Sequence, residues 1–177
     1  MNSPASRKAL LRNKQSLATT RLAERDDVPA IHALLTDLAA TLDETDAFRA
    51  REEDLVKGGF GTAPAFHVIL AEIEAQPVGI TLFFRTFSSW RGQAGLYIQD
   101  LHVVEACRGM GYGRLLLSAA ASFGRQSGCT HLRLSVAVAN AAGRSFYRRI
   151  GMQERDDEII CQIADSAFDR LTEEFTP

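Results

Sequence analysis

Apolar residues at Ile31, Leu34, Leu35, Leu38 and Leu42 recur at three- and four-residue intervals, which predicts an amphipathic helix with that stripe on the core. Asp26-Asp27-Val28-Pro29 supplies its start, a capping acid followed by a first-turn proline. The short alternation from Thr20 to Glu24 predicts a strand leading in, and the polar stretch from Asp43 to Asp46 ends the helix. A second short helix is predicted over Arg51 to Lys57, with Gly58-Gly59 closing it through left-handed backbone. Three runs rich in β-branched and aromatic residues follow: Phe66 to Ile73, Val78 to Phe87, and Gly95 to Val104. Their short links predict an antiparallel meander. After Val104 the pattern changes to a glycine-rich loop, a helix to about Gln126, a strand from His131 to Ala137, and a helix from Asn140 to Ile150. That order is a parallel βαβ crossover set behind an antiparallel half. Gly151 closes the last helix, Met152 onward reads as one more strand, and Asp165 to Phe175 reads as an amphipathic segment.

Composition bounds what such a chain can be. At 177 residues, 46% hydrophobic and 24% charged, it has the make-up of a single packed soluble domain and not of a disordered, collagen-like or repeat protein. Twenty basic against 22 acidic side chains leave a net charge of -2, so no overall positive field draws nucleic acid or an anionic membrane. Any anionic ligand is therefore held locally. Cys107, Cys129 and Cys161 are odd in number and far apart, without a paired spacing for zinc, which indicates a reduced compartment, the cytoplasm, and no metal. Leu115 to Gly124 is the longest apolar stretch near a helix and falls far short of the roughly 20 residues that span a bilayer. Residues 1–18 read as a basic extension outside the fold, either disordered or a targeting segment, because no acid precedes Glu24.

The six residues Arg108-Gly109-Met110-Gly111-Tyr112-Gly113 follow a strand and open a long helix. Glycines let the backbone turn sharply and approach a ligand, while a helix start offers free N–H groups and the positive dipole end. Such a loop suits a pyrophosphate, though a glycine-rich turn also has purely structural uses. It lacks the Lys-Ser/Thr of a Walker loop, and no acid ends the next strand, Arg133 to Ala137, where a dinucleotide fold would hold ribose. Arg108 and Arg114 flank the loop, as phosphate forks or as solvated side chains.

The spacing of Arg108, Gly111 and Gly113, then Asn140, then Phe146-Tyr147-Arg148-Arg149-Ile150-Gly151, resembles the signature of the GNAT superfamily of N-acetyltransferases. Further patches, Glu53-Asp54-Leu55, Gly59-Phe60-Gly61, Phe83 to Trp90, Leu96-Tyr97-Ile98 and Ser145 to Arg149, look like its diamine (spermidine/spermine) acetyltransferase branch. The resemblance implies an α/β fold: a mixed twisted sheet, antiparallel in its N-terminal half and parallel in its cofactor half, flanked by helices over residues 19–177. It further implies that Leu101, His102 and Val103 offer main-chain groups to the pantetheine arm of acetyl-CoA. Gly109, Met110, Gly111, Tyr112, Gly113 and Arg114, with Arg108, would hold the pyrophosphate, and Asn140 with the turn to Gly143 would complete the slot. Tyr147 would be the general acid, and the molecule a homodimer.

Acetyl transfer needs a neutral amine, a donor for the developing oxyanion and a proton for the leaving thiolate. A tyrosine, with a pKa of about 10, is neutral at pH 7 and suits the last task, so Tyr147 fits by chemistry as well, unless it and Phe146 merely pack. The family would place the oxyanion donor at a main-chain N–H near Val103. In the diamine branch an acid precedes the strand aspartate, whereas here the pair is Gln99-Asp100. Asp100 is suited to anchor a cation, and His102, two residues along the same strand face, to relay a proton; the two also read as a hydrogen-bonded structural pair. A water chain, or an amine arriving neutral, would need no base. Gln99, Asp100 and Trp90 are the candidate acceptor contacts, Trp90 alternatively being a packed turn aromatic. Ala139 stands where the branch often has tryptophan, and acids at the end of the first helix begin only at Asp43, so the acceptor is any small amine: a polyamine, a short diamine, a thialysine-like molecule or an amino acid. Asp43, Glu44, Asp46, Asp156, Asp157 and Glu158 are either site acids or solvated loop charges. Cys107 is either a thiol activated by the helix start or a small packing residue. Acetylation of a protein N-terminus or lysine, and a non-catalytic acyl-CoA sensor, remain the rival functions.

Overall fold

The computed structural model describes residues 18–173, in two compact units that meet in sequence between Ser135 and Val136. The basic extension read at residues 1–18 lies outside the described residues except for Ala18, which packs on Ile73, Cys107 and Tyr112. Phe175, at the end of the C-terminal segment, also lies outside them.

In the first unit, β1 (Thr19–Leu22), β2 (His67–Ile73), β3 (Gln76–Ser88), β4 (Gln93–Val103) and β5 (His131–Leu134) form one sheet in sequence order. The first four pair antiparallel, the expected meander, and β5 joins β4 in parallel. Between β1 and β2 run α1 (Val28–Thr41) and α2 (Glu52–Gly59); between β4 and β5 runs α3 (Tyr112–Gln126). Strand alternation assigns the faces. Val68, Leu70, Ile80 and Leu82 pack with Val28, Ile31, Leu34 and Leu35 of α1 and Leu55 of α2. The opposite residues turn to α3, where Phe83 meets Phe123 edge-on and Leu96 lies against Gly124.

Three expectations about this unit need correction. Leu42 is 42% exposed, because α1 ends at Thr41 and the last residue of the stripe falls beyond the packed turn. Gly58 and Gly59 belong to α2, which ends at Phe60 with ordinary negative φ. They are small because the Phe66 ring lies on them: a Cβ would come within 2.8 Å of it at Gly58 and 2.5 Å at Gly59. β5 is also shorter than expected and stops at Leu134. The N-terminal corner is pinned by Arg21, whose guanidinium forks onto Asp27 at 2.6 and 2.7 Å and onto Glu72 at 2.8 and 3.1 Å.

One irregularity positions the site. Phe83 pairs with Ile98 and Leu82 with Asp100, so Gln99 is the extra residue of a β-bulge. Regular alternation would put Asp100 and His102 on the α3 face with Ile98. The bulge turns both to the α1 face, opposite Leu82 and Ile80.

The second unit carries α4 (Ala141–Arg149) and α5 (Asp165–Glu173). Gly151 ends α4 with φ +93, as expected. The strand expected from Met152 is absent among the described residues. Glu154 is held instead by Arg144 at 2.7 Å and Arg148 at 3.1 Å, Arg155 pairs with Asp157, and Ile159 and Ile160 are 88% and 76% exposed. Five consecutive charges from Glu154 to Glu158 favour water over a buried face, which overrides the β-branched pair behind them.

Candidate active site

From Gln99 to Val103, β4 pairs only with β3, because its register with β5 ends at Ile98 and Leu134. Its other edge therefore carries main-chain groups outside any strand ladder among the described residues. The glycine loop stands at the end of this edge. Gly109 and Gly111 have φ +76 and +91, left-handed backbone that L side chains rarely adopt, and a Cβ on Gly109 would meet open space. Gly111 is the N-cap of α3 and supplies no side chain, and the first amide to find a helical acceptor is that of Leu115, on the Gly111 carbonyl at 3.0 Å. The N–H groups of Tyr112, Gly113 and Arg114 thus open the helix without a capping side chain. The residues present fit a diphosphate.

The side chains around the loop divide by role. Arg114 is exposed and has no ion pair or hydrogen bond among the described residues. Arg108 is engaged: Nε donates to the Val103 carbonyl at 3.0 Å and Nη2 to Thr41 Oγ1 at 3.1 Å, tying the loop to β4 and to the end of α1. Met110 packs on the cluster beneath the loop. Tyr112 is 2% exposed within that cluster, so only its main-chain N–H faces outward. Cys107 is 8% exposed and burial pushes its thiol up, which makes it a packing residue and not a reactive one.

On the α1 face of β4, Asp100 is half-buried and has no hydrogen-bond partner among the described residues. Burial alone pushes its carboxyl up to about 6. His102 is 3% exposed and its Nε2 lies 2.7 Å from Asp37 Oδ2 of α1. Of the two readings of Asp100 and His102, the hydrogen-bonded pair is not found among the described residues; His102 pairs with Asp37 instead. Gln99 is exposed on the bulge. Trp90 is 99% exposed in the turn before β4, roughly 20 Å along the strand from Asp100, and neither packs nor joins it.

In the second unit, Asn140 Oδ1 accepts the Gly143 N–H at 2.8 Å and caps α4. A Cβ at Gly143 would sit 2.9 Å from the Asn140 amide nitrogen, so the two residues make one cap between them. Tyr147, on α4, is half-buried, and burial pushes its phenol above the ordinary value near 10. It stays protonated at neutral pH and able to donate. The Phe146 ring meets it edge-on at 5.2 Å.

Asp37 and Thr41 escaped the sequence reading. Their partners lie 65 and 67 residues away, and only the packing of α1 on the bulged strand brings them together. The one signal was a charge at Asp37 beside the apolar stripe of α1, which is ordinary for an amphipathic helix.

A strand pair that parts beside a left-handed glycine loop and a bare helix start leaves main-chain groups open to an anionic ligand. The chain belongs to the acetyltransferase (GNAT) family, whose model matches residues 28–152. It is 31% identical over 142 residues to the thialysine N-epsilon-acetyltransferase of Bos taurus, covering 76% of this chain and 83% of that protein. It is 30% identical over 145 residues to a spermidine/spermine N(1)-acetyltransferase-like protein 1 of Homo sapiens, covering 78% of this chain but only 21% of that longer protein. Among solved structures, an integron cassette protein from the mobile metagenome of V. cholerae superposes with a TM-score of 0.75 at 18% identity, over 89% of this chain and 99% of that one, and shares the fold. Among the described residues no helix is long and apolar enough to cross a membrane.

Proposed function

We propose that this protein moves an acetyl group from acetyl-CoA to the primary amine of a small molecule by direct attack, without an acetyl-enzyme. Asp100 carries this reading: a half-buried carboxyl without a partner among the described residues is a site for a cation, and an alkylammonium supplies one. The names of the relatives, which act on thialysine or resemble spermidine/spermine acetyltransferases, support a short amine.

Bound acetyl-CoA supplies the activated thioester carbonyl. Main-chain groups of Leu101, His102 and Val103 hold its pantetheine arm, and a main-chain N–H near Val103 meets the oxyanion. The amides of Gly109 to Arg114 and the exposed guanidinium of Arg114 hold the pyrophosphate. Arg108 shapes the loop through Val103 and Thr41. Asn140 and Gly143 complete the slot through the first turn of α4. Tyr147 protonates the departing thiolate, Asp100 holds a positive charge on the acceptor, and His102 takes the one proton that the neutral attacking amine loses on acylation. Residues 19–177 form the acetyltransferase domain, which works as a homodimer in the cytoplasm and binds neither nucleic acid nor membrane.

The test is thiol release from acetyl-CoA by the purified protein against spermidine, putrescine, thialysine, amino acids and a lysine peptide. Saturable turnover on a small amine supports the reading. Tight acetyl-CoA binding without turnover on any of them, or turnover on the peptide alone, overturns it.

A further inference from the structure

The Asp37–His102 contact differs from the apolar packing that joins α1 to the sheet beside it. Elsewhere α1 is held to the sheet by apolar side chains, Leu34 and Leu35 against Ile80 and Leu82. At one point a 3% exposed imidazole replaces them, with its Nε2 2.7 Å from Asp37 Oδ2. Burying a polar ring costs free energy that an apolar residue would avoid, so the site selects it for something other than adhesion. A carboxylate oxygen only accepts, so Nε2 carries the hydrogen and donates it, which leaves the lone pair of the neutral ring on Nδ1.

Asp37 is itself fixed. Its main-chain carbonyl accepts from Thr41 Oγ1 at 2.8 Å, Thr41 Oγ1 in turn accepts from Arg108, and Arg108 reaches back to the Val103 carbonyl. The last turn of α1, β4 and the glycine loop are therefore one linked frame. The Asp37 side chain is 51% exposed, so the outer end of the pair stays in contact with solvent. Asp100 stands two residues before His102 on the same face, about 7 Å along the strand. The charged groups that face the imidazole are thus Asp37 from α1 and Asp100 from its own strand; β3 presents Ile80, and Arg108 is occupied by Val103 and Thr41.

We propose that Asp37 is a positioning residue that fixes the His102 tautomer and so makes its Nδ1 the proton acceptor for the incoming amine. The inference rests on the acetyl-transfer reading above. In the step, the amine nitrogen gives its lone pair to the carbonyl carbon and a C–N bond forms. The C–S bond breaks with its electrons going to sulfur, which takes the phenolic proton of Tyr147. The proton lost by the amine passes to His102 Nδ1, where Asp37 stabilises the imidazolium. Exchange with water then returns a proton to the phenolate and removes one from the imidazolium.

Two measurements on the full chain test this. A long-range 1H–15N spectrum of histidine-labelled protein without acetyl-CoA, with His102 assigned by its loss in His102→Gln, reports which ring nitrogen carries the hydrogen. The proposal expects hydrogen on Nε2 in the wild type and a mixture of tautomers in Asp37→Asn. Kinetics on the best small amine should show kcat about 10²-fold lower in Asp37→Asn. Acetyl-CoA affinity should hold. Asp37→Glu should recover part of kcat. A wild-type ring with hydrogen on Nδ1 overturns the proposal. So does an Asp37→Asn variant that melts earlier with kcat unchanged, since the pair is then only a tie. Absence of wild-type turnover on every amine overturns the acetyl-transfer reading and the base role together; the spectrum still reports separately whether Asp37 sets the tautomer.

Discussion

Replacing Asp100 by asparagine separates the stability of this fold from its function. Burial lifts the carboxyl from its ordinary 3.8 to about 6, which converts to about 3 kcal/mol against the ionised form. An acid whose folded pKa is raised binds more protons folded than unfolded between those two values, so stability falls as pH rises through that window and the whole penalty is present above pH 6. Asp100→Asn removes the charge and keeps the shape. The variant should therefore be more stable than wild type by up to about 3 kcal/mol at pH 8, roughly 6–12 °C in Tm for a chain of this size, and indistinguishable from it near pH 4. The figure is an upper bound because the buried amide retains part of the desolvation cost. Urea unfolding at the two pH values, without acetyl-CoA, measures the difference. The same protein should show an acceptor KM raised about tenfold or more, the cost of a lost charge-assisted contact. A stability gain equal at both pH values, or none at either, would refute the claim that Asp100 is a desolvated carboxyl waiting for a cation.

Tyr147→Phe should lower turnover by about 10²-fold with acetyl-CoA affinity nearly unchanged, measured by thiol release and calorimetry; loss of both in proportion would assign the ring to packing. Gly111→Val places a β-branched residue at φ +91, which should cost about 1–2 kcal/mol in the loop and weaken acetyl-CoA binding. Unaltered calorimetric affinity would remove the loop from the cofactor site. Arg21→Ala strips the fork from Glu72, 8% exposed, and from Asp27, whose carboxyl Arg21 holds below its ordinary range. Stability at pH 7 should fall by on the order of 2 kcal/mol, and the gap to wild type should narrow as pH drops below about 4, where a lowered carboxylate pKa ceases to contribute. A gap constant between pH 7 and pH 3 would show that the ion pairs contribute nothing.

The sheet order and helix positions were legible because they follow from local periodicity: the stripe of α1, the three β-branched runs, and the change of pattern after Val104. The glycine loop was legible because Gly109 and Gly111 have a conformational reason to be glycine. Glycine is ambiguous where the reason is a neighbour, and Gly58 and Gly59 read as a helix stop when they are a seat for Phe66. The run from Met152 reads as a strand in sequence, while the five charges from Glu154 to Glu158 have the stronger claim on water. The face occupied by Asp100 and His102 depends on a bulge at Gln99, which is written in the pairing with β3 and not in β4 alone. Asp37 stayed hidden for the same reason, since its role exists only across the α1–β4 contact.

The account stands or falls on where the acetyl group goes. Acetyl-CoA carrying an isotopically labelled acetyl group, incubated with the purified protein and an equal mixture of thialysine and spermidine, can be followed by mass spectrometry of both small molecules and of the protein. The account predicts label on an amine nitrogen of a small molecule, in step with free CoA, and none retained on the protein. Label confined to protein lysines or N-termini, or no transfer under saturating acetyl-CoA, would contradict it.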